Sequence, residues 1–110
     1  MVDSTVASLA LADLPVGSMR TCQLQGHEIL VCRTKDGIFA LDNICTHAMA
    51  RLSEGRLRGT RVICPLHGAS FDVRDGRPMG PPANCALATH QAQVVGDRVE
   101  IMLSPHERPR

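Results

Sequence analysis

The stretch "CTHAMARLSEGRLRGTRVICPLHG", residues 45–68, holds two short clusters of the same composition. The first is Cys45-Thr46-His47 and the second is Cys64-Pro65-Leu66-His67, with sixteen residues between the two clusters. A thiol and an imidazole two or three positions apart lie on one loop, and two such loops can close around one metal centre. The pattern therefore predicts a four-ligand site made of Cys45, His47, Cys64 and His67.

Three interpretations of this set are open from the residues alone. In the first interpretation these are ordinary buried cysteines and surface histidines, which fall into two matched pairs by chance. A structural zinc ion takes four such ligands in a tetrahedron, but the usual zinc finger pairs Cys with Cys and His with His. A [2Fe–2S] cluster with two Cys on one iron and two His on the other is the third. The mixed pairing favours the cluster.

The segments around the motif read as short strands. Glycine and Asp-Gly breakers divide the chain, and Asp36-Gly37 and Gly96-Asp97 are hairpin signals between apolar runs. The segment "STVASLALADL", residues 4–14, predicts a turn of helix that ends at Pro15. We expect an all-β fold, an antiparallel sandwich or small barrel. The predicted strands are residues 19–24, 28–33, 38–42, 61–64, 70–73, 87–95 and 98–103.

Length and composition limit the class of protein. The chain has 110 residues, 44% of them hydrophobic, which suits one domain over residues 1–110. We expect residues 1–8 and 104–110 to be frayed. A net charge of +1 argues against a nucleic-acid partner, and no apolar run approaches the ~20 residues of a membrane span. Five cysteines, an odd number, fit a reducing cytoplasm better than a disulfide scaffold.

The cysteine–histidine motif also resembles a known family. Cys-x-His, sixteen residues, then Cys-x-x-His followed by Gly and Phe-Asp is similar to the motif of Rieske-type ferredoxins. The segments "DNICTHAMARLSEG" and "CPLHGASFDV" most resemble the ferredoxin component of bacterial aromatic-ring-hydroxylating dioxygenase systems. The resemblance implies a Rieske-like antiparallel β-sandwich or small barrel with two cluster-binding hairpin loops. It also implies one [2Fe–2S] cluster per chain, with Cys45 and Cys64 on the inner iron and His47 and His67 on the outer iron.

The same resemblance implies a function. The chain would be a one-electron carrier and not an enzyme, taking electrons from a flavin-dependent ferredoxin reductase and passing them to a terminal Rieske non-haem iron oxygenase. We expect a monomer that forms transient complexes. Two alternatives remain: the small Rieske-like subunit of an assimilatory nitrite reductase, and a structural zinc-binding interaction module.

Residues near the motif suggest how such a site would be tuned and contacted. Ala69 and Phe71 stand where respiratory Rieske proteins carry hydroxyl donors, which implies a potential at the low end of the range of about −150 to +300 mV. Met49, Leu66 and Met79 could form an apolar ring around the histidine edges. Six arginines between residues 51 and 77 are either a solvated surface or a partner-docking patch, and both interpretations stay open.

Overall fold

The computed structural model describes residues 6–45, 50–66, 68–81 and 85–103. The helical segments within those ranges are two 3-10 turns, Leu11–Asp13 and Leu52–Glu54, and no helix there is long and apolar enough to cross a membrane. The all-β prediction is therefore confirmed. The strands are β1 (Val6–Ala10), β2 (Met19–Leu24), β3 (His27–Thr34), β4 (Gly37–Asp42), β5 (Arg56–Arg58), β6 (Arg61–Ile63), β7 (Ser70–Asp72), β8 (Thr89–Val95) and β9 (Arg98–Met102).

Six strands form one antiparallel sheet in the order β1-β9-β8-β4-β3-β2. Its two edge strands, β1 and β2, approach each other to Cα separations within 8 Å, so the sheet curls into an almost closed barrel. Closing a sheet in this way leaves little free edge for pairing with another chain.

The other three strands form a small antiparallel sheet in the order β5-β6-β7. Strands β5 and β6 lie between the two cysteine loops in sequence, and β7 follows the second loop. The motif cysteines therefore belong to a small subdomain that packs on the large sheet.

Strand β3 separates two hydrophobic cores. Leu30 and Cys32 point into the core beneath the small sheet, together with Cys45, Cys64 and Phe71. The alternate positions Ile29 and Val31 point into the barrel interior. Because a strand covered on both faces needs apolar residues at every position, β3 reads as a continuous apolar run in the sequence.

The seven predicted strands correspond to β2, β3, β4, β6, β7, β8 and β9, and they are confirmed. The helical turn predicted for residues 4–14 is wrong over 6–10, and so is the expected fraying of residues 6–8. Those residues form β1 because each finds a partner on β9, from Val6 opposite Met102 to Ala10 opposite Arg98. Such a non-local pairing overrides local propensity. Residues 1–5 and 104–110 lie outside the described ranges.

Candidate metal centre

The two cysteine loops are built alike. The backbone N–H of Cys45 donates to the carbonyl of Ala50 at 2.7 Å, and that of Cys64 donates to the carbonyl of Ala69 at 2.6 Å. Each loop thus begins at a cysteine and is closed by an alanine five positions later. One residue further out, β-type pairs brace each loop, Ile44 with Arg51 and Ile63 with Ser70. The described ends of the two loops are therefore closed in the same way.

The loops bring the two thiols together in a buried position. Cys45 is fully buried and Cys64 is 2% exposed, and their side chains are hydrogen-bonded to each other. Burial raises the pKa of Cys64, the backbone N–H of Leu66 lowers it by donating to the sulfur, and Cys45 raises it again. Neither cysteine is in a disulfide.

This donor set fits an iron–sulfur group. The buried thiol of Cys64, next to that of Cys45, is a poor anion on its own, because desolvation and the neighbouring Cys45 both raise its pKa. A metal that coordinates them supplies the missing positive charge, so the pair is suited to binding as thiolates. The N–H of Leu66 already points at one of the sulfurs, as a donor to a metal-bound thiolate does.

The two predicted histidine ligands, His47 and His67, lie outside the described residues, as does Met49 of the expected apolar ring. Their roles stay predictions. The other two ring residues are described, and both are partly open to solvent: Leu66 is 47% exposed and Met79 is 36% exposed. The second loop and its surroundings therefore expose two apolar side chains.

A polar network centred on Asn43 supports the first loop. Asn43, which is fully buried, donates its side-chain N–H to Glu28 at 2.8 Å and to Ser53 at 3.0 Å, and its side-chain oxygen accepts the N–H of Ser53 at 2.8 Å. Arg51 closes the network on Glu28 at 3.0 Å. The bonds from Asn43 and Arg51 lower the pKa of Glu28 despite its partial burial. The network ties strand β3 to both sides of the first loop.

Gly55 lets the two loops approach. It follows the 3-10 turn after the first loop, and a Cβ at this position would lie 1.8 Å from the carbonyl oxygen of Ile63 and 3.2 Å from the Cδ of Pro65. Ile63 and Pro65 flank Cys64. Only glycine permits this contact, so the segment after the first loop packs directly against the start of the second.

A buried carboxylate supports the strand that follows the second loop. Asp72 is 2% exposed and accepts hydrogen bonds from Arg74, through the backbone N–H at 2.9 Å and the guanidinium at 2.8 and 3.0 Å. Arg77 lies 3.5 Å away. These bonds, those of Arg74 first, lower the pKa of Asp72 to about 2. The Phe-Asp pair of the motif thus places Phe71 in the core and Asp72 under two arginines.

Asn43 stands just before the first loop, where an Asn side chain is expected to brace the loop, but its partners were not predicted from the sequence. Glu28, Asn43 and Ser53 are ordinary polar residues separated by ten to fifteen positions, and only the fold makes them neighbours. For Asp72 a signal was present, because Asp followed by Arg two positions later can close a local turn.

Comparison with known proteins agrees with this geometry. The ferredoxin component of a naphthalene 1,2-dioxygenase system from Pseudomonas aeruginosa is 36% identical over 104 residues, which is 94% of this chain and all of that protein. The ferredoxin of carbazole 1,9a-dioxygenase from Nocardioides aromaticivorans superposes with a TM-score of 0.86 at 30% identity, over 92% of this chain and 100% of the other.

A chain in a solved complex of oxygenase and ferredoxin of carbazole 1,9a-dioxygenase gives a TM-score of 0.84 at 31% identity, over 89% and 93% of the two chains. The family described as the Rieske [2Fe–2S] domain matches residues 4–91. Because that match takes in both cysteine loops and the strands that carry them, this chain belongs to the Rieske [2Fe–2S] domain family.

Proposed function

We propose that this chain is the ferredoxin component of an aromatic-ring-hydroxylating dioxygenase system. It carries single electrons from a flavin-dependent ferredoxin reductase to a terminal Rieske non-haem iron oxygenase. The observation that carries the proposal is the pair of buried, hydrogen-bonded thiols of Cys45 and Cys64 at the base of two matched loops. The full-length relative from Pseudomonas aeruginosa, named as a ferredoxin component, supports it.

Family membership supports an iron–sulfur cofactor. We propose one [2Fe–2S] cluster per chain, held by Cys45 and Cys64 on one iron and by His47 and His67 on the other. When bound, the cluster supplies a one-electron redox centre whose mixed ligands give a higher potential than four thiolates would. The chain excludes water from the two sulfurs and aims the N–H of Leu66 at one of them.

The chain acts as a carrier, and its work is to hold a redox centre and meet its partners. The apolar surface formed by Leu66 and Met79 beside the second loop suits brief contact with partner proteins. We place the protein in the cytoplasm, which is supported by its five free cysteines. The single domain over residues 1–110 and the monomeric state remain part of this proposal.

Purification under anaerobic conditions and metal analysis test the cofactor. We expect a red-brown protein with about two irons and two acid-labile sulfides per chain, as one [2Fe–2S] cluster requires. Cys64→Ser provides the matched negative variant. A colourless wild-type protein with one zinc per chain would establish the zinc-module alternative.

Reconstitution tests the role. The reductase of the naphthalene dioxygenase system serves as the electron donor and its oxygenase as the electron acceptor. This protein replaces the ferredoxin of that system. We expect substrate oxidation at the expense of NADH that depends on the added protein and disappears with Cys64→Ser. If this protein supports nitrite reduction but not naphthalene oxidation, the nitrite reductase alternative is favoured.

A further inference from the structure

The outer face of the small sheet is basic. Strand register places Arg58 opposite Arg61 and Arg61 opposite Asp72, while Arg56 lies opposite Ile63. The other face of the same strands carries Leu57, Val62 and Phe71, which pack into the core. The apolar face is fully used, so the arginine face is the one that this sheet presents to solvent.

This face forms a groove of about 290 Å³. Four of its lining residues are arginines. Asp72 in the lining and Asp75, 3.8 Å from Arg77, balance two of them, which leaves two positive charges unbalanced. The whole chain has a net charge of only +1, so the remainder of the molecule is net negative. The lining comprises Arg58, Thr60, Arg61, Ile63, Asp72, Arg74, Arg77 and Met79.

The four arginines are not equivalent. Arg74 and Arg77 are held by the buried carboxylate of Asp72, at 2.8 and 3.5 Å. Arg58 and Arg61 have no ion-pair partner among the residues that the structure describes, and both are exposed. They face each other directly across β5 and β6. Like charges at directly opposite positions destabilise a sheet. This arginine pair therefore lowers the stability of the fold, so stability does not explain its presence.

The groove reaches the second cysteine loop. Ile63, in its lining, immediately precedes Cys64. Met79, also in the lining and 36% exposed, donates its backbone N–H to Ser70 at 2.9 Å, and Ser70 is the partner of Ile63. Arginine and methionine are both enriched at the centres of protein interfaces. A molecule bound in the groove is therefore next to the proposed electron-transfer site.

We propose that this groove is the docking surface for a carboxylate-rich surface of a redox-partner protein. Arg58 and Arg61 pair with carboxylates of the partner, and Met79 and Ile63 provide the apolar contact beside the second loop. The inference rests on the proposed carrier function and adds the chemistry of the partner. The unpaired arginines of the groove are exposed, which suits contact with a protein surface better than enclosure of a small anion.

A binding experiment with an acidic redox protein of known chemistry tests the proposal. The probe is plant plastocyanin, made redox-inert by replacing copper with cadmium and labelled for NMR titration. The groove variant is Arg58→Gln with Arg61→Gln. The matched control is Arg20→Gln with Arg98→Gln, which removes the same charge from two exposed arginines of the large sheet.

We expect wild-type affinity for plastocyanin to fall as NaCl is added. The groove variant should bind about fivefold more weakly at low ionic strength, since it loses two exposed ion pairs, each of which is weak on its own. The control variant should stay within about twofold of wild type. Stopped-flow measurement should show slower electron transfer from the reduced groove variant to copper plastocyanin, and a rate near that of wild type for the control variant.

Equal weakening by both variants would mean that net charge alone matters and would overturn the docking surface, as would no weakening by either. Saturable inhibition by inorganic phosphate at constant ionic strength would identify a small-anion site instead and would also overturn it. Reduction of hexaammineruthenium(III), a cationic electron acceptor, tests the proposed carrier function separately from the proposed docking surface. A protein that cannot reduce it fails as a carrier, whereas the NMR titration reports on docking regardless.

Discussion

Replacing Gly55 with alanine should separate the two cysteine loops. The added Cβ would lie 1.8 Å from the carbonyl oxygen of Ile63, a distance that non-bonded atoms do not reach. Backbone must therefore move by more than about 1 Å, and overpacking of this kind costs about 3 kcal/mol or more when the obstacle is backbone. The φ of Gly55 is −91°, outside the left-handed region, and the cost considered is the steric one.

For a domain of this size, 3 kcal/mol lowers the midpoint of thermal unfolding by about 12 °C or more. Because the displaced carbonyl precedes Cys64, we also expect a lower iron content per chain. Circular dichroism and the visible absorption of the cluster, followed together on heating, measure both effects. Two signals are needed because loss of a metal group breaks two-state unfolding.

Gly59→Ala is the matched control. Gly59 has a φ of +60°, and nothing lies within 4 Å of an added Cβ, so alanine there costs only about 1–2 kcal/mol of backbone strain. It should keep its full iron content. A Gly55→Ala protein with normal iron and a midpoint within about 4 °C of wild type, or one more stable than Gly59→Ala, would refute the steric argument.

Three further predictions concern the site and its support. Cys64→Ser should abolish iron binding while Cys85→Ser, at an exposed position, should not; equal iron in both proteins would contradict the ligand assignment. Asp72→Asn should lower the free energy of unfolding by about 1 kcal/mol at pH 7, discounted for the half-exposed arginines. Because folding lowers the pKa of Asp72 to about 2, its contribution is present above pH 4 and is lost as the pH falls towards 2. Urea unfolding at several pH values checks this, and a difference that persists at pH 2 would count against it. Ala69→Ser should raise the reduction potential by about 40 mV for each kcal/mol by which a new hydrogen bond favours the reduced state. Voltammetry measures this, and an unchanged potential with an intact cluster would show that no such bond forms.

Local sequence was sufficient for most of the fold. Seven strands followed from short apolar runs between glycine breakers, since turn chemistry and residue alternation are local properties. The two strands that were missed each had a physical reason. Strand β1 exists because Val6–Ala10 pairs with β9, more than ninety residues away along much of its length. Strand β5 is only Arg56–Arg58, and its two charged residues and short length hide the pattern.

The position of the candidate site in the chain was also predictable from local sequence, whereas the roles of its two histidines stay predictions. The spacing of Cys45 and Cys64 with their histidines indicated a shared metal centre, because ligand type and spacing are written in the chain. Most of the supporting contacts were not predictable. Glu28, Asn43 and Arg51 meet through side chains on separate elements, and the close contact of Gly55 with Ile63 exists only once the small sheet has formed.

The arginines show most clearly what the sequence alone determined and what the tertiary structure decided. The sequence by itself determined that six arginines fall between residues 51 and 77, near the cysteine loops. Only the tertiary structure decided which of them are neutralised. Arg51 pairs with Glu28 and Arg74 with Asp72, whereas Arg58 and Arg61 face each other. Charge is a property of each residue, but whether a charge is balanced depends on strand register and on contacts between distant segments.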